Sequence, residues 1–157
     1  MKWSKLKTLV EERFAESLVD RLNINSTRYG NCACGRAWLT LDGEEIANFC
    51  TRAYYNRYPY GDKKNDQGIT SEQAKRYAKQ SVEYGELSRQ DAYKACWEFI
   101  HDLTIDQALA DSDPLIQTLA VIDSRVSKKK LANLQTLKLH PLAEKLLGIR
   151  LQAEGLI

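Results

Sequence analysis

Hydrophobic period changes twice along this chain, and those changes limit the folds open to it. Residues 4 to 21 follow a helical period: Leu6, Leu9, Val10, Phe14 and Leu18 recur at spacings of three and four. Ser4 stands where an N-cap would, and Lys7, Glu11, Glu12 and Glu16 occupy the opposite side. From Leu22 the period becomes two. Leu22, Ile24 and Ser26 alternate with polar partners, and Gly30 to Gly35 reads as a turn. Ala37, Leu39 and Leu41 alternate again. Asp42-Gly43 follows, the pair that tolerates the positive φ required at both central positions of a type I′ hairpin. Ile46 to Thr51 completes a third strand.

From Ile69 onward the period is helical to the end. Thr70 with Gln73 is a capping-box pair, and the helix it opens is expected to reach Tyr84, where Gly85 stops it. Ser88 opens the next helix, striped by Ala92, Cys96, Phe99 and Ile100. Thr104 with Gln107 opens a third. Asp113-Pro114 opens a fourth, striped by Leu115, Leu119, Ile122 and Val126, and His140-Pro141 opens the last. The expected fold class is therefore α+β: an N-terminal helix packed on a three-stranded antiparallel sheet, followed by a C-terminal helical bundle. It reads as a single domain over 1–157, with subdomains 1–51 and 69–157 joined by a loop at 52–68.

That connecting stretch carries the clearest functional signal. It includes Arg52, Tyr54, Tyr55, Arg57, Tyr58, Tyr60, Lys63 and Lys64, so half of the 8 tyrosines fall within one short segment. Pro59, Gly61 and Gly68 mark it as a loop. Tyrosine rings stack bases and arginine planes pair with phosphates. The same residue types are the usual hot spots of protein interfaces. Rings folded back onto the core are the plain alternative. A second basic group, Arg125, Lys128, Lys129 and Lys130, falls at the expected end of a helix, where cations suit the C-terminal dipole. It would extend a phosphate track, with Lys138 and Arg150 adding to it, or serve only as a solvated helix end. The net charge of +2 lends neither group long-range support.

Cys32 and Cys34 in the first turn and Cys50 at the end of the third strand offer three thiolates to a zinc ion, with Cys96 or His101 as a fourth ligand. Against this, C-x-C is a weaker pattern than paired C-x-x-C, and Cys96 sits on an apolar stripe where cysteine behaves as a small hydrophobe. Catalytic signatures are incomplete. Cys96 and His101 lie about 500° apart in helical rotation, and the chain carries neither a phosphate-cradling glycine loop nor H-E-x-x-H.

No run approaches the ~20 apolar residues of a membrane span, and Glu11, Glu12 and Arg13 interrupt any leader-like segment after the basic start. The chain reads as cytoplasmic, with no membrane role. The start Lys2-Trp3-Ser4-Lys5-Leu6, the segments Ser26 to Tyr29 and Trp38 to Ile46, the basic stretch after Asp123 and the close from His140-Pro141-Leu142 to Ala153-Glu154-Gly155-Leu156 resemble a family of small uncharacterised bacterial cytosolic proteins. That resemblance implies an intracellular bacterial protein and carries no catalytic residues with it. The function expected from the sequence is non-enzymatic binding: of nucleic acid with little sequence preference, or of a protein, as an adaptor, inhibitor or immunity-like module.

Overall fold

A computed structural model of the chain describes residues 1–31, 34–59 and 69–157. The fold is α+β, with an N-terminal helix, a three-stranded antiparallel sheet and then a series of helices. Contacts divide it into two units, residues 1–22 with 94–157, and residues 23–93.

The first unit is helical. α1 spans Trp3–Glu11 and buries Leu6 and Val10. It is shorter than the apolar stripe suggests, and Lys2, not Ser4, precedes it without a side-chain cap. The stripe continues through buried Phe14 and Leu18, but the backbone between them is drawn out of the helix. Ala15 N–H donates to Ile122 O at 2.8 Å and Ser124 N–H to Arg13 O at 2.7 Å, so Phe14 pairs with Asp123 as an isolated antiparallel bridge. A single 3-10 turn, Glu16–Leu18, follows.

The later helices start where short-range chemistry says they should. α5 (Ile105–Leu109) has the complete Thr104–Gln107 capping box. At α6 (Pro114–Val121), Asp113 Oδ1 accepts from Leu115 N–H at 2.9 Å and Ile116 N–H at 3.0 Å. At α8 (Pro141–Ala153), His140 Nδ1 accepts from Leu142 N–H at 3.1 Å. α6 stops at Val121, five residues short of Val126, because 122–124 turn to pair with the chain after α1. α6 packs on α5 and α8, and α7 (Lys128–Leu134) packs on α8. Leu115, Leu119, Leu131, Leu142 and Leu146 are buried within this bundle.

The second unit holds the sheet: β1 (Leu22–Arg28), β2 (Gly35–Leu41) and β3 (Glu44–Cys50), in the order β1-β2-β3. Asp42 has φ 51° and Gly43 φ 84°, the left-handed pair that the type I′ turn demands. The register sets Ala37 against Phe49, Leu39 against Ala47 and Trp38 against Asn48, with a bulge after Leu39. Ala37, Leu39, Ala47 and Phe49 are buried together on one face, leaving Arg36, Trp38, Asn48 and Cys50 on the other. Gly35 sits so close to β1 that a Cβ there would lie 2.0 Å from Thr27 O.

α2 (Thr51–Arg57) follows β3 directly and packs on β3 and β2. α3 (Ser71–Tyr77) has the complete Thr70–Gln73 capping box but ends at Tyr77, well before Tyr84. α4 (Arg89–His101) begins after Ser88, which bonds reciprocally with Asp91 in its first turn.

Candidate partner-binding surface

The tyrosine-rich segment, read from sequence as a loop, begins as a helix. The period explains why. Ala53 and Arg57, four residues apart, are both buried on one side of the helix, while Arg52, Tyr55 and Asn56 are exposed. Tyr54 and Tyr58 flank the exposed face with ring centroids 5.0 Å apart, and Tyr55 meets Tyr54 edge-on at 5.6 Å. Tyr60, Lys63 and Lys64 lie outside the described residues.

Arg57 is not a surface cation. Its Nη1 donates to Tyr84 O at 3.0 Å and its Nη2 pairs with Glu83 at 2.5 Å. The segment carrying these acceptors crosses α2 at Gly85, whose φ is 68° and where a Cβ would stand 2.3 Å from Ala53 O. Asn56 Nδ2 donates to Tyr84 Oη at 3.1 Å, and Tyr84 in turn meets Tyr77 at 5.1 Å.

Arg52 remains outward. Its guanidinium lies over the Tyr29 ring, 4.6 Å from the centroid. The Tyr29 hydroxyl is 3.8 Å from Cys50 Sγ. Burial raises the Tyr29 hydroxyl pKa above its ordinary value and the bond to Cys50 adds to the shift, while Arg36 and Arg76 pull against it. Tyr77 is likewise raised, chiefly by burial. Both phenols are therefore neutral at physiological pH. Nearby, Arg36 stacks on Trp38 at 3.9 Å and bonds Glu45 at 3.0 Å and Asn48 at 3.1 Å, and Asn48 donates to Tyr77 Oη at 2.9 Å. Arg28, Arg52 and Arg76 are exposed and have no carboxylate partner among the described residues. Tyr29, Arg28, Trp38 and Arg76 were not legible as site residues, although the alternation of Ala37, Leu39 and Leu41 leaves Trp38 on the opposite face.

The second basic group is placed differently from its sequence reading. Lys128, Lys129 and Lys130 form the first turn of α7, not the end of a helix, because Ser127 caps it by accepting from Lys130 N–H at 3.2 Å. Their charges therefore face the positive end of the helix dipole. Arg125 chelates the fully buried Asp123, with Nε at 2.9 Å from Oδ1 and Nη2 at 2.7 Å from Oδ2. That carboxylate holds its pKa above the ordinary arginine value. Lys130 pairs with Asp106. Arg150, grouped from sequence with the basic surface, is 2% exposed.

Among the thiols, Cys34 and Cys50 are half-buried and Cys96 is buried; Cys32 lies outside the described residues. Among those residues no three metal-ligating side chains gather. Burial pushes the Cys96 thiol up to about 12, which keeps it protonated and unreactive. His101 stacks on Trp97 at 4.4 Å, with Nδ1 2.9 Å from Trp97 O.

A family model described as the SF0329 protein family matches residues 2–151. The chain belongs to the SF0329 protein family. The matched range includes β1, β2, β3, α2 and the Arg52–Tyr29 stack. No curated protein and no solved structure matches the chain. Among the described residues, no helix is long and apolar enough to cross a membrane.

Proposed function

We propose that this chain is a non-enzymatic binding module, working in a bacterial cytosol, that captures a protein partner through the outward face of α2 and the Tyr29–Arg52 stack. One observation carries the reading: Tyr54, Tyr55 and Tyr58 are packed on one another, and Arg52 on Tyr29, before any partner arrives. Rings and guanidinium planes held in place lose little conformational freedom on binding, which is what makes tyrosine and arginine effective anchors. Tyr55, 58% exposed, is the open centre of this face. The chemistry of Cys96 and His101 supports the non-enzymatic part, since one is a buried protonated thiol and the other is stacked on Trp97 and bonded to its carbonyl.

Nucleic acid is the second reading. It is favoured by the exposed Arg28, Arg52 and Arg76, which have no carboxylate partner among the described residues, but weakened because Arg57, Arg125 and Lys130 already hold carboxylates. Affinity capture from lysate of the producing cell, with wild type and with Arg52→Ala/Tyr55→Ala, tests the first reading. Loss of two anchors should weaken the captured protein by at least about tenfold. A partner list unchanged by the double variant refutes it. Anisotropy with a labelled oligonucleotide supports the second reading if affinity falls steeply between low and moderate salt and that slope flattens in the double variant.

A further inference from the structure

On the outer face of the sheet, inside the unit of residues 23–93, two side-chain hydroxyls close over β3. Asn48 and Cys50 stand two residues apart on that strand and share the face with Arg36 and Trp38. The Tyr77 hydroxyl accepts from Asn48 Nδ2 at 2.9 Å, and the Tyr29 hydroxyl reaches Cys50 Sγ at 3.8 Å. α3 therefore docks on the side of the sheet where Tyr29 lies, and it brings Arg76, the residue before Tyr77. The Arg76 charge acts on both phenols, pulling each down against the larger effect of burial.

The charges of this face do not cancel. Arg36 is already engaged: it holds Glu45 at 3.0 Å, and Glu45 also accepts from Gln80 Nε2 at 2.9 Å. Arg52 and Arg76 are exposed, and among the described residues neither donates a hydrogen bond nor meets a carboxylate. Glu72 stands one turn before Arg76 on α3, the usual spacing for a helical ion pair, yet does not close on it. Arg52 is nonetheless held, its guanidinium 4.6 Å from the Tyr29 ring centroid. The ring offers no lone pair, so the Arg52 donors stay uncommitted. A positioned guanidinium with unused donors is the fork that a carboxylate takes in two parallel bonds.

The number of charges decides the class of partner. A complex held by a nucleic-acid backbone spreads over about 6–10 phosphates. Arg52 and Arg76 fall short of that. Arg28 does not join them, since it shares the face of β1 on which Ser26 accepts from Arg89 Nε at 2.7 Å. Two cations do match a short acidic stretch of protein, and Tyr55, one turn along α2 from Arg52, gives it contact area.

We propose that the protein partner presents an acidic segment, with one carboxylate on Arg52 beside Tyr29 and another on Arg76. This rests on the reading of the face as a protein-binding surface and names what that surface selects.

NMR titration of the full chain, following arginine Nε–Hε and backbone amide signals at constant ionic strength, tests this. The probes are a blocked glutamate-rich peptide, its glutamine counterpart and an oligothymidylate of equal charge. The glutamate peptide should shift the Arg52, Arg76 and Tyr29 signals saturably and bind tighter than the other two. Arg52→Gln and Arg76→Gln should each weaken it about fivefold, as expected for one partly screened ion pair. Lys145→Gln, which removes the same charge from α8, should leave it unchanged. All three positions are exposed, and far-UV dichroism confirms that each variant is folded. The proposal is overturned if the glutamate peptide gives no saturable shift, or if the glutamine peptide or the oligothymidylate binds as tightly. It is also overturned if either arginine variant leaves affinity unchanged, or if Lys145→Gln weakens binding as much as they do. A lysate partner lost with Arg52→Ala/Tyr55→Ala, but captured equally by Arg76→Gln and not displaced by the glutamate peptide, would sink this inference and leave the proposed function standing.

Discussion

Replacing Arg150 by methionine tests how the helical unit is held together. Methionine fills similar volume but donates nothing, so Val121 O, Asp123 O, Val126 O and the Glu154 carboxylate lose their partner together. Bonds to a charged donor contribute about 1.5–3 kcal/mol each, and removing one side of a buried ion pair costs about 3–5 kcal/mol. A cleft beside Arg150 admits water to some of the orphaned oxygens, so the sum is not additive and the low end applies. We expect a loss of roughly 4 kcal/mol, against about 5–15 kcal/mol for a whole domain, and a Tm lower by roughly 8–16 °C. Arg150→Lys, with one compact ammonium for four acceptors, should lose about half as much. Glu154→Gln keeps an acceptor for Nε and should lose about 1 kcal/mol. Urea titration followed by far-UV dichroism measures all three. If Arg150→Met falls within 1 kcal/mol of wild type, or Glu154→Gln costs as much as Arg150→Met, the three carbonyls are not what Arg150 holds and the reasoning fails.

Two further outcomes follow from other sites. Gly85→Ala should destabilise the sheet-bearing unit by more than about 2 kcal/mol, since it combines a left-handed backbone with a Cβ 2.3 Å from Ala53 O; a melting curve matching wild type would contradict it. In native protein at pH 8, Cys96 should resist a thiol reagent that labels Cys50, and should label on unfolding. Because its folded pKa lies near 12 and its unfolded value near 8.5, its contribution to stability is complete below about pH 8.5 and declines as pH rises toward 12; Cys96→Ala should flatten that part of the stability profile.

The features read correctly from sequence are those decided within a few residues. Asp42-Gly43 dictates its turn whatever surrounds it, and Thr70, Thr104, Asp113 and His140 each cap a helix using atoms two or three positions away. The misses depended on distant chain. Pro59 and the glycines beyond it hid the four-residue spacing of Ala53 and Arg57, which is helical only because the sheet and the 83–85 crossing receive that face. Phe14 keeps its place in the stripe but leaves the helix because residues 122–124 pair there. Nothing near Arg150 in sequence announces three carbonyl acceptors more than 20 residues away. Lysines 128–130 were assigned to the wrong end of a helix because Ser127 is a weak start signal beside buried Val126.

The discontinuous make-up of the helical unit bears on how the chain emerges during synthesis. Residues 1–22 belong with 94–157, so α1 leaves the ribosome long before the segments it will share a core with. Residues 23–93 must be translated in between, roughly 4–14 s at ordinary elongation rates. For that interval Leu6 and Val10 have no helical partners, and the arrival of α8, bringing Arg150, adds the last bonds to the 121–126 segment. The hairpin around Asp42-Gly43 closes over neighbouring residues and has no such wait. The sheet-bearing unit is thus the part of this protein positioned to fold first, and α1 is the segment a chaperone would meet.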